Sequence, residues 1–443
     1  MTTTTMRLRS SSKRRSFDRF GDDLTQLLLS DLTFEDKLRF QCVSKQWQQL
    51  LLQSVTRISC TDRYSDLISA TTLAKLLPKC PNIRRIRFPD DLALLPLITR
   101  YCRHLKHIYI NQQIDRQLSV TTIDKFFTLF ADQLQTIHVW NSSKNLFKSL
   151  NTNLKKCTNI STFKYITRNL EDEISLYRQF IAAAADEPMV YQKLNKIKIF
   201  VETNEMLTIF EQIVRLYGHQ LKSMAVLVDS KLPLIRKTMT GLSQIKQLIH
   251  LKITILESDK NYWQTLVQLL PPIGRQSYQL KRLSIIIRLE RYANYNNNNI
   301  NHIIDGCDIL NTISNNFKQL KRLYLSNYID LIGSNNKING FKQLTHLTIY
   351  SKKMSTTDHF IDNIAANCPR LQCLVYSGYC IDSKTLKSLI QLSHLHTISL
   401  KNVDNKLIAL NAIKKCLNTI TSVLKILKSR TVSSDISDKV IRF

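Results

Sequence analysis

From residue 83 onward, apolar positions recur as a triplet with the spacing apolar-x-x-apolar-x-apolar. Twelve copies run from Ile83/Ile86/Phe88 through Leu134/Ile137/Val139 and Leu280/Leu283/Ile285 to Leu395/Ile398/Leu400, and Val55/Ile58/Cys60 is a weaker thirteenth. The last two members of a triplet are two residues apart, the alternation of a strand buried on one face, and the first sits where the chain turns into that strand. Between strands the period changes. Met206, Ile209, Phe210, Ile213, Val214 and Tyr217 share a helix face with Gly218 as a stop, and Asn169 can cap a helix whose first turn holds Glu171, Asp172 and Glu173. A strand plus a helix every 22 to 40 residues cannot bury its apolar face alone. Successive units must stack, with parallel strands inside and helices outside.

Three residues before each first anchor lies another repeated slot. It holds Cys80, Cys102, Cys157 and Cys368, and elsewhere Ala131, Tyr191, Gly218, Ile245, Ser277, Phe317, Phe341 and Leu392. Cys80–Pro81 and Cys368–Pro369 form a Cys-Pro step. Over residues 55–425 this pattern resembles the leucine-rich-repeat family in its cysteine-containing variety, with the family's repeat asparagine mostly missing. The resemblance implies a right-handed solenoid with a parallel concave sheet and outer helices. The longest repeat, between Leu280 and Leu320, contains the asparagine-rich residues 294–301, a low-complexity loop.

Residues 16–53 follow another grammar. Leu24, Leu27, Leu28 and Leu32 share a helix face, Thr33 with Asp36 starts a second helix, and Ser44 caps a third that carries Trp47, Leu50 and Leu51. Three short helices with this much apolar surface need a partner. Asp22-Asp23-Leu24, Leu27-Leu28, Leu32, Asp36, Leu38, Val43-Ser44-Lys45 and Trp47 resemble an F-box in order and spacing. The family's usual Leu-Pro step stands here as Phe20-Gly21, where Phe20 can fill an apolar pocket and Gly21 lacks proline's stiffness. The resemblance implies binding of the Skp adaptor of cullin-type ubiquitin ligases, through Phe20, Gly21, Leu24, Leu27, Leu28, Leu32, Leu38, Val43, Trp47 and Leu50. The expected fold class is α/β, a short three-helix F-box followed by a leucine-rich-repeat solenoid. The expected domains are a disordered basic N-terminus (1–15), the F-box (16–53), the repeats (54–425) and a C-terminal tail (426–443).

Composition agrees with a folded chain, with 43% hydrophobic residues and only 8 Gly and 9 Pro among 443. No apolar run approaches the roughly 18 residues of a membrane span, so no membrane partner is expected. Residues 1–15 have no apolar stretch behind their charges and do not read as a signal peptide, which points to the cytoplasm or nucleus. Ten cysteines without a Cys-x-x-Cys pair then read as reduced, mostly buried thiols. The net charge of +29 is unevenly spread, since residues 16–53 carry six acids against four bases and the basic excess lies elsewhere.

No catalytic constellation stands out. The ten histidines are scattered, no phosphate-binding glycine loop exists, and Cys368, Cys373 and Cys380 lack the pairing of a zinc site. No cofactor, metal or catalytic residue is expected, and the chain reads as a non-catalytic receptor. Side chains two, four and six positions after each first anchor point away from the core. Among these thirty-six positions none is Asp or Glu and nine are Lys or Arg. The candidate substrate-binding residues are Arg85, Arg87, His107, Tyr109, His138, Trp140, Lys164, Lys196, Lys198, Phe200, Lys252 and Arg282, which suit an acidic or phosphorylated protein segment. Two alternatives stay open, a non-ligase repeat scaffold and a basic repeat protein binding RNA, although no known nucleic-acid module is visible.

Overall fold

The computed structural model describes residues 45–59, 70–87, 94–111, 119–140, 144–167, 169–186, 191–229, 231–257, 262–289, 306–326, 340–350, 363–377, 388–401 and 439–442, preceded by 34–39, Leu24, Leu27, Leu29, Leu32 and Cys42. Phe20, Gly21, Leu28, Val43, Cys380 and the asparagine-rich loop lie outside the described residues, as do the side chains of Leu38 and Trp47. The chain forms two compact units, Met1–Leu194 and Asn195–Phe443, so the N-terminal helices group with the first repeats.

In the first unit the strands are β1 (Arg57–Ser59), β2 (Arg85–Arg87), β3 (His107–Asn111), β4 (Thr136–Trp140) and β5 (Thr162–Ile166). Each runs parallel to the next. The second anchor of every repeat sets the register, placing Ile58, Ile86, Ile108, Ile137 and Phe163 opposite one another, all buried. A one-residue slip would turn that row to solvent, which is why the register is unambiguous. The weak thirteenth triplet thus forms a strand like the others. From β2 to β5 each strand is entered through a shared acceptor: the Thr56 carbonyl takes the Arg84 and Arg85 amides at 2.9 and 3.1 Å, and the Arg84 carbonyl takes those of Lys106 and His107 at 2.8 and 3.0 Å.

The second unit repeats the plan with β6 (Lys196–Val201), β7 (Ser223–Val228), β8 (His250–Glu257), β9 (Arg282–Leu289), β10 (Arg322–Ser326), β11 (His346–Tyr350), β12 (Cys373–Ser377) and β13 (Thr397–Lys401). From β6 to β13 each runs parallel to the next. Within the stretch expected to be a tail, β14 (Lys439–Arg442) pairs antiparallel with β13 and occupies the sheet edge that a parallel array leaves open.

Helices connect the strands where the 3.6-residue period places them. In the helix Asn204–Tyr217 all six core-face residues are buried, and the Met206 amide donates to the Thr203 hydroxyl at 3.3 Å. Gly218 follows but is not a left-handed cap, because its φ is −55°. It is needed for space: a Cβ there would collide with the Val214 carbonyl oxygen. Asn169 caps the helix Leu170–Asp186, its side chain accepting from the Glu171 amide at 3.1 Å.

The repeated slot is buried in every repeat, whatever fills it. Burial pushes the Cys80 thiol up to about 11 and those of Cys102, Cys157 and Cys368 to about 12, so they act as small apolar fillers. Tyr191 fills the slot with a φ of 60°, a conformation that costs a non-glycine residue about 1–3 kcal/mol. Its ring stacks on Phe180 at 4.2 Å, and its hydroxyl donates to the Leu154 carbonyl at 3.0 Å. These contacts offset the strain.

In the N-terminal module the helices Phe34–Arg39 and Lys45–Gln53 are formed, and Leu24, Leu27 and Leu29 are helical. Leu29, Leu50 and Leu51 are buried together with Leu32 packed against them. The module is tied to the start of the repeat array: Lys37 donates to the Ser54 hydroxyl at 3.1 Å, and Asn82 of the first repeat donates to the Gln53 carbonyl at 2.9 Å.

Candidate functional site

With the anchors turned toward the helices, alternate strand residues form rows on the opposite, open face. In the first unit one row is Arg57, Arg85, His107, Thr136 and Thr162, and the next is Ser59, Arg87, Tyr109, His138 and Lys164. Asn111, Trp140 and Ile166 begin a third. The Arg85 guanidinium lies 5.8 Å from the centroid of the Tyr109 ring, which meets His138 edge-on at 4.6 Å. Lys164 stands 4.9 Å over the ring of Trp140, which remains 43% exposed. His107 shares a 2.9 Å hydrogen bond with the Thr136 hydroxyl, and burial, then Arg85, Lys106 and Arg57, hold its imidazole below the usual range. The structure therefore brings Arg85, Arg87, His107, Tyr109, His138, Trp140 and Lys164 onto one face. It adds Arg57, missed because the triplet around it is weak.

In the second unit the first row reads Lys196, Ser223, His250, Arg282, Arg322, His346, Cys373 and Thr397. The second runs Lys198, Ala225, Lys252, Ser284, Tyr324 and Thr348, and the third Phe200, Leu227, Thr254, Ile286, Ser326 and Tyr350. These rows grade from cationic to apolar, and none contains a carboxylate. Lys196, Lys252, Arg282 and Arg322 are exposed, while Lys198 and Phe200 are half-buried. The rings of Tyr324 and Tyr350 are tilted against each other with centroids 5.8 Å apart. Burial, then Arg282, Lys196 and Arg322, push the His250 imidazole down, with a backbone hydrogen bond at Ile249 acting the other way. Burial, then Arg322, His396 and Arg282, do the same to His346.

The N-terminal candidates separate into two groups. Leu24 and Leu27 are 45% and 65% exposed and turn an apolar surface to solvent. Leu50 lies in the module's own core and Leu32 at its margin. Among the described residues, no group of three or more His, Cys, Asp or Glu could hold a metal ion, and no helix is long and apolar enough to cross a membrane.

Parallel strands in anchor-set register, helices on one side and a buried slot in each unit define an α/β leucine-rich-repeat solenoid. No protein-family model matches the chain, and no curated protein does. Solved structures similar to it include the Rad7 and Elc1 complex of yeast, at 14% identity over 80% of this chain and 87% of that one with a TM-score of 0.49. Another is the leucine-rich-repeat protein LegL7 of Legionella pneumophila, at 11% identity over 76% and 98% with a TM-score of 0.41.

Proposed function

We propose that the chain is the substrate-recognition subunit of a cullin-type ubiquitin ligase, binding a Skp adaptor through its N-terminal helices and an acidic protein through the open strand face. The observation that carries this reading is the exposure of the helical Leu24 and Leu27 while nearby Leu29, also helical, is rooted in the module's core. An exposed apolar pair held by a small rigid core is a docking surface, and the residues around it resemble an F-box. The open face supports the second half, since cations with aromatic neighbours and no carboxylate suit an acidic segment. The chain makes no bond itself in this reading. It raises the effective concentration of a substrate lysine at an activated thioester held by other subunits.

The test is recovery of the tagged chain from cells of its own source. Skp adaptor and cullin should accompany it. Recovery of RNA in place of these subunits would sink the reading and favour the second one, which the exposed Lys164–Trp140 stack supports because such stacks also bind single-stranded bases.

A further inference from the structure

His250, Arg282, Arg322 and His346 stand side by side on β8, β9, β10 and β11. Neighbouring strands lie about 4.8 Å apart, so two guanidinium groups are rooted one strand spacing from each other between two imidazoles, in a row about 14 Å long. Like charges directly opposite on paired strands destabilise a sheet. Packing does not require them, because both arginines are exposed. Among the described residues neither makes an ion pair. Beside them, Ser284 and Tyr324 supply hydroxyls, and beyond these Ile286 and Tyr350 supply apolar surface.

We propose that the His250–Arg282–Arg322–His346 row seats a phosphate group on an acidic protein segment laid across the strands. The two arginines clasp the dianion, and the imidazoles take up a proton as it binds. The seat stands on this geometry, and only the carrier, a captured protein, rests on the receptor reading above. A single carboxylate satisfies one guanidinium fork, whereas a phosphate monoester offers three oxygens and nearly two charges to a pair of forks. A nucleic-acid strand presents a singly charged phosphate at every nucleotide and calls for cations repeated along its path. Here Arg282 and Arg322 stand on adjacent strands, β9 and β10, so that two forks can meet on one dianion.

The proton uptake has the same geometric origin. His250 faces Arg282, Lys196 and Arg322, with Lys252 on its own strand; His346 faces Arg322, His396 and Arg282, with the Cys373 thiol opposite on β12 and Tyr324 in the adjoining row. An anion at the arginine pair cancels that field and raises both imidazoles. Their bound values then lie above their free ones, so affinity rises as pH falls through the interval between the two.

The experiment uses the full chain with ¹³C-labelled histidine, assigned by single His→Gln variants. Sulfate is the first probe, since it keeps both charges where a phosphate monoester loses its second near pH 6. At constant ionic strength it should shift the His250 and His346 resonances saturably and raise their pKa by about one unit. The exposed His219 and His394 should be unmoved. In R282Q/R322Q the shifts should vanish while the thermal melt is retained. Uniform shifts at all four histidines, or saturable shifts that survive R282Q/R322Q, overturn the seat.

In a second arm, a phosphoserine peptide flanked by glutamates should bind about tenfold tighter than its serine counterpart, and the double variant should erase the difference. An oligouridylate that outcompetes the phosphopeptide through the same arginines overturns the protein carrier in favour of RNA. Adaptor association is measured on R282Q/R322Q in parallel and should be intact. Its absence in the wild type as well would refute the receptor reading while leaving the sulfate result standing.

Discussion

Leu27 and Leu29 are two residues apart and both helical, and replacing each should give opposite phenotypes. Leu27 is 65% exposed, so Leu27→Asp takes little from the free chain, in keeping with the about ±0.5 kcal/mol of ordinary surface changes. In the proposed adaptor complex the position would become buried. Fully burying a leucine contributes about 1.5–3 kcal/mol, of which roughly 1–2 kcal/mol remains to be gained at Leu27. An aspartate there would forfeit that gain and be desolvated without a partner, at a cost of several kcal/mol more. The sum exceeds about 3 kcal/mol, more than about a hundredfold in Kd. Leu29 is fully buried against Leu50 and Leu51, and Leu29→Ala should cost about 2–5 kcal/mol of stability through the cavity left behind. The assay is equilibrium binding of purified Skp adaptor, with thermal and urea unfolding on the same preparations. Leu27→Asp binding the adaptor at wild-type affinity, or Leu29→Ala losing no stability, would refute the division into docking surface and core.

Reversing charges at Arg85, Arg87, Lys196 and Lys198 to glutamate should abolish substrate recovery and leave adaptor binding intact, with the wild-type complex weakening across a salt series; unchanged recovery would move the substrate site elsewhere. Single Lys→Ala changes should do little, since exposed ion pairs contribute about 0.2–1 kcal/mol. The slot thiols are raised to about 11 or 12 in the fold, so their contribution to stability is complete below about pH 8.5 and lost as pH climbs through those values. Melts should therefore hold steady to mild alkali and fall above it, and iodoacetamide mapping should find Cys42, which is exposed, labelled long before Cys80, Cys102, Cys157 or Cys368. Gly241→Ala should destabilise although alanine favours helix by about 1 kcal/mol, because the new Cβ would stand 2.5 Å from Cε1 of the fully buried Phe210; a raised melting temperature would show that the ring yields.

Period-2 and period-3.6 patterns are local, and so the repeats are legible from residues alone. Within each unit every second anchor in the sequence is a buried residue in register with the next, and the slot is buried for fillers as unlike as Cys157, Tyr191 and Ser277. Gly218 does end its helix, but for another reason than its φ, because a sequence records a glycine's position and not whether conformation or space demands it. β14 escapes a sequence reading because nothing in Lys439–Arg442 distinguishes a strand that needs an edge from a tail. The outward positions of His250, Arg282, Arg322 and His346 can be read off one by one. Their adjacency cannot, since they are separated by 32, 40 and 24 residues and only the register across unequal connections aligns them. Among the N-terminal leucines, helical spacing groups residues by face without showing which face turns inward, and packing alone distinguishes Leu27 from Leu29 and Leu50.

The slot side chains also fix the order of the array. Tyr191 reaches back 37 residues to the Leu154 carbonyl, and Ser277 reaches back 32 to that of Ile245 at 2.8 Å. These two joints are thus each cut for one predecessor, a phenol on one ledge and a hydroxymethyl on another. An ankyrin-style consensus array can be lengthened, shortened or shuffled because its joints are alike. This chain cannot be edited by whole units in that way. Excising one repeat would bring mismatched ledges together and leave a buried hydroxyl or a void at the seam. Change in its binding properties is therefore channelled into the outward rows and the connecting loops, where substitutions leave the joints untouched.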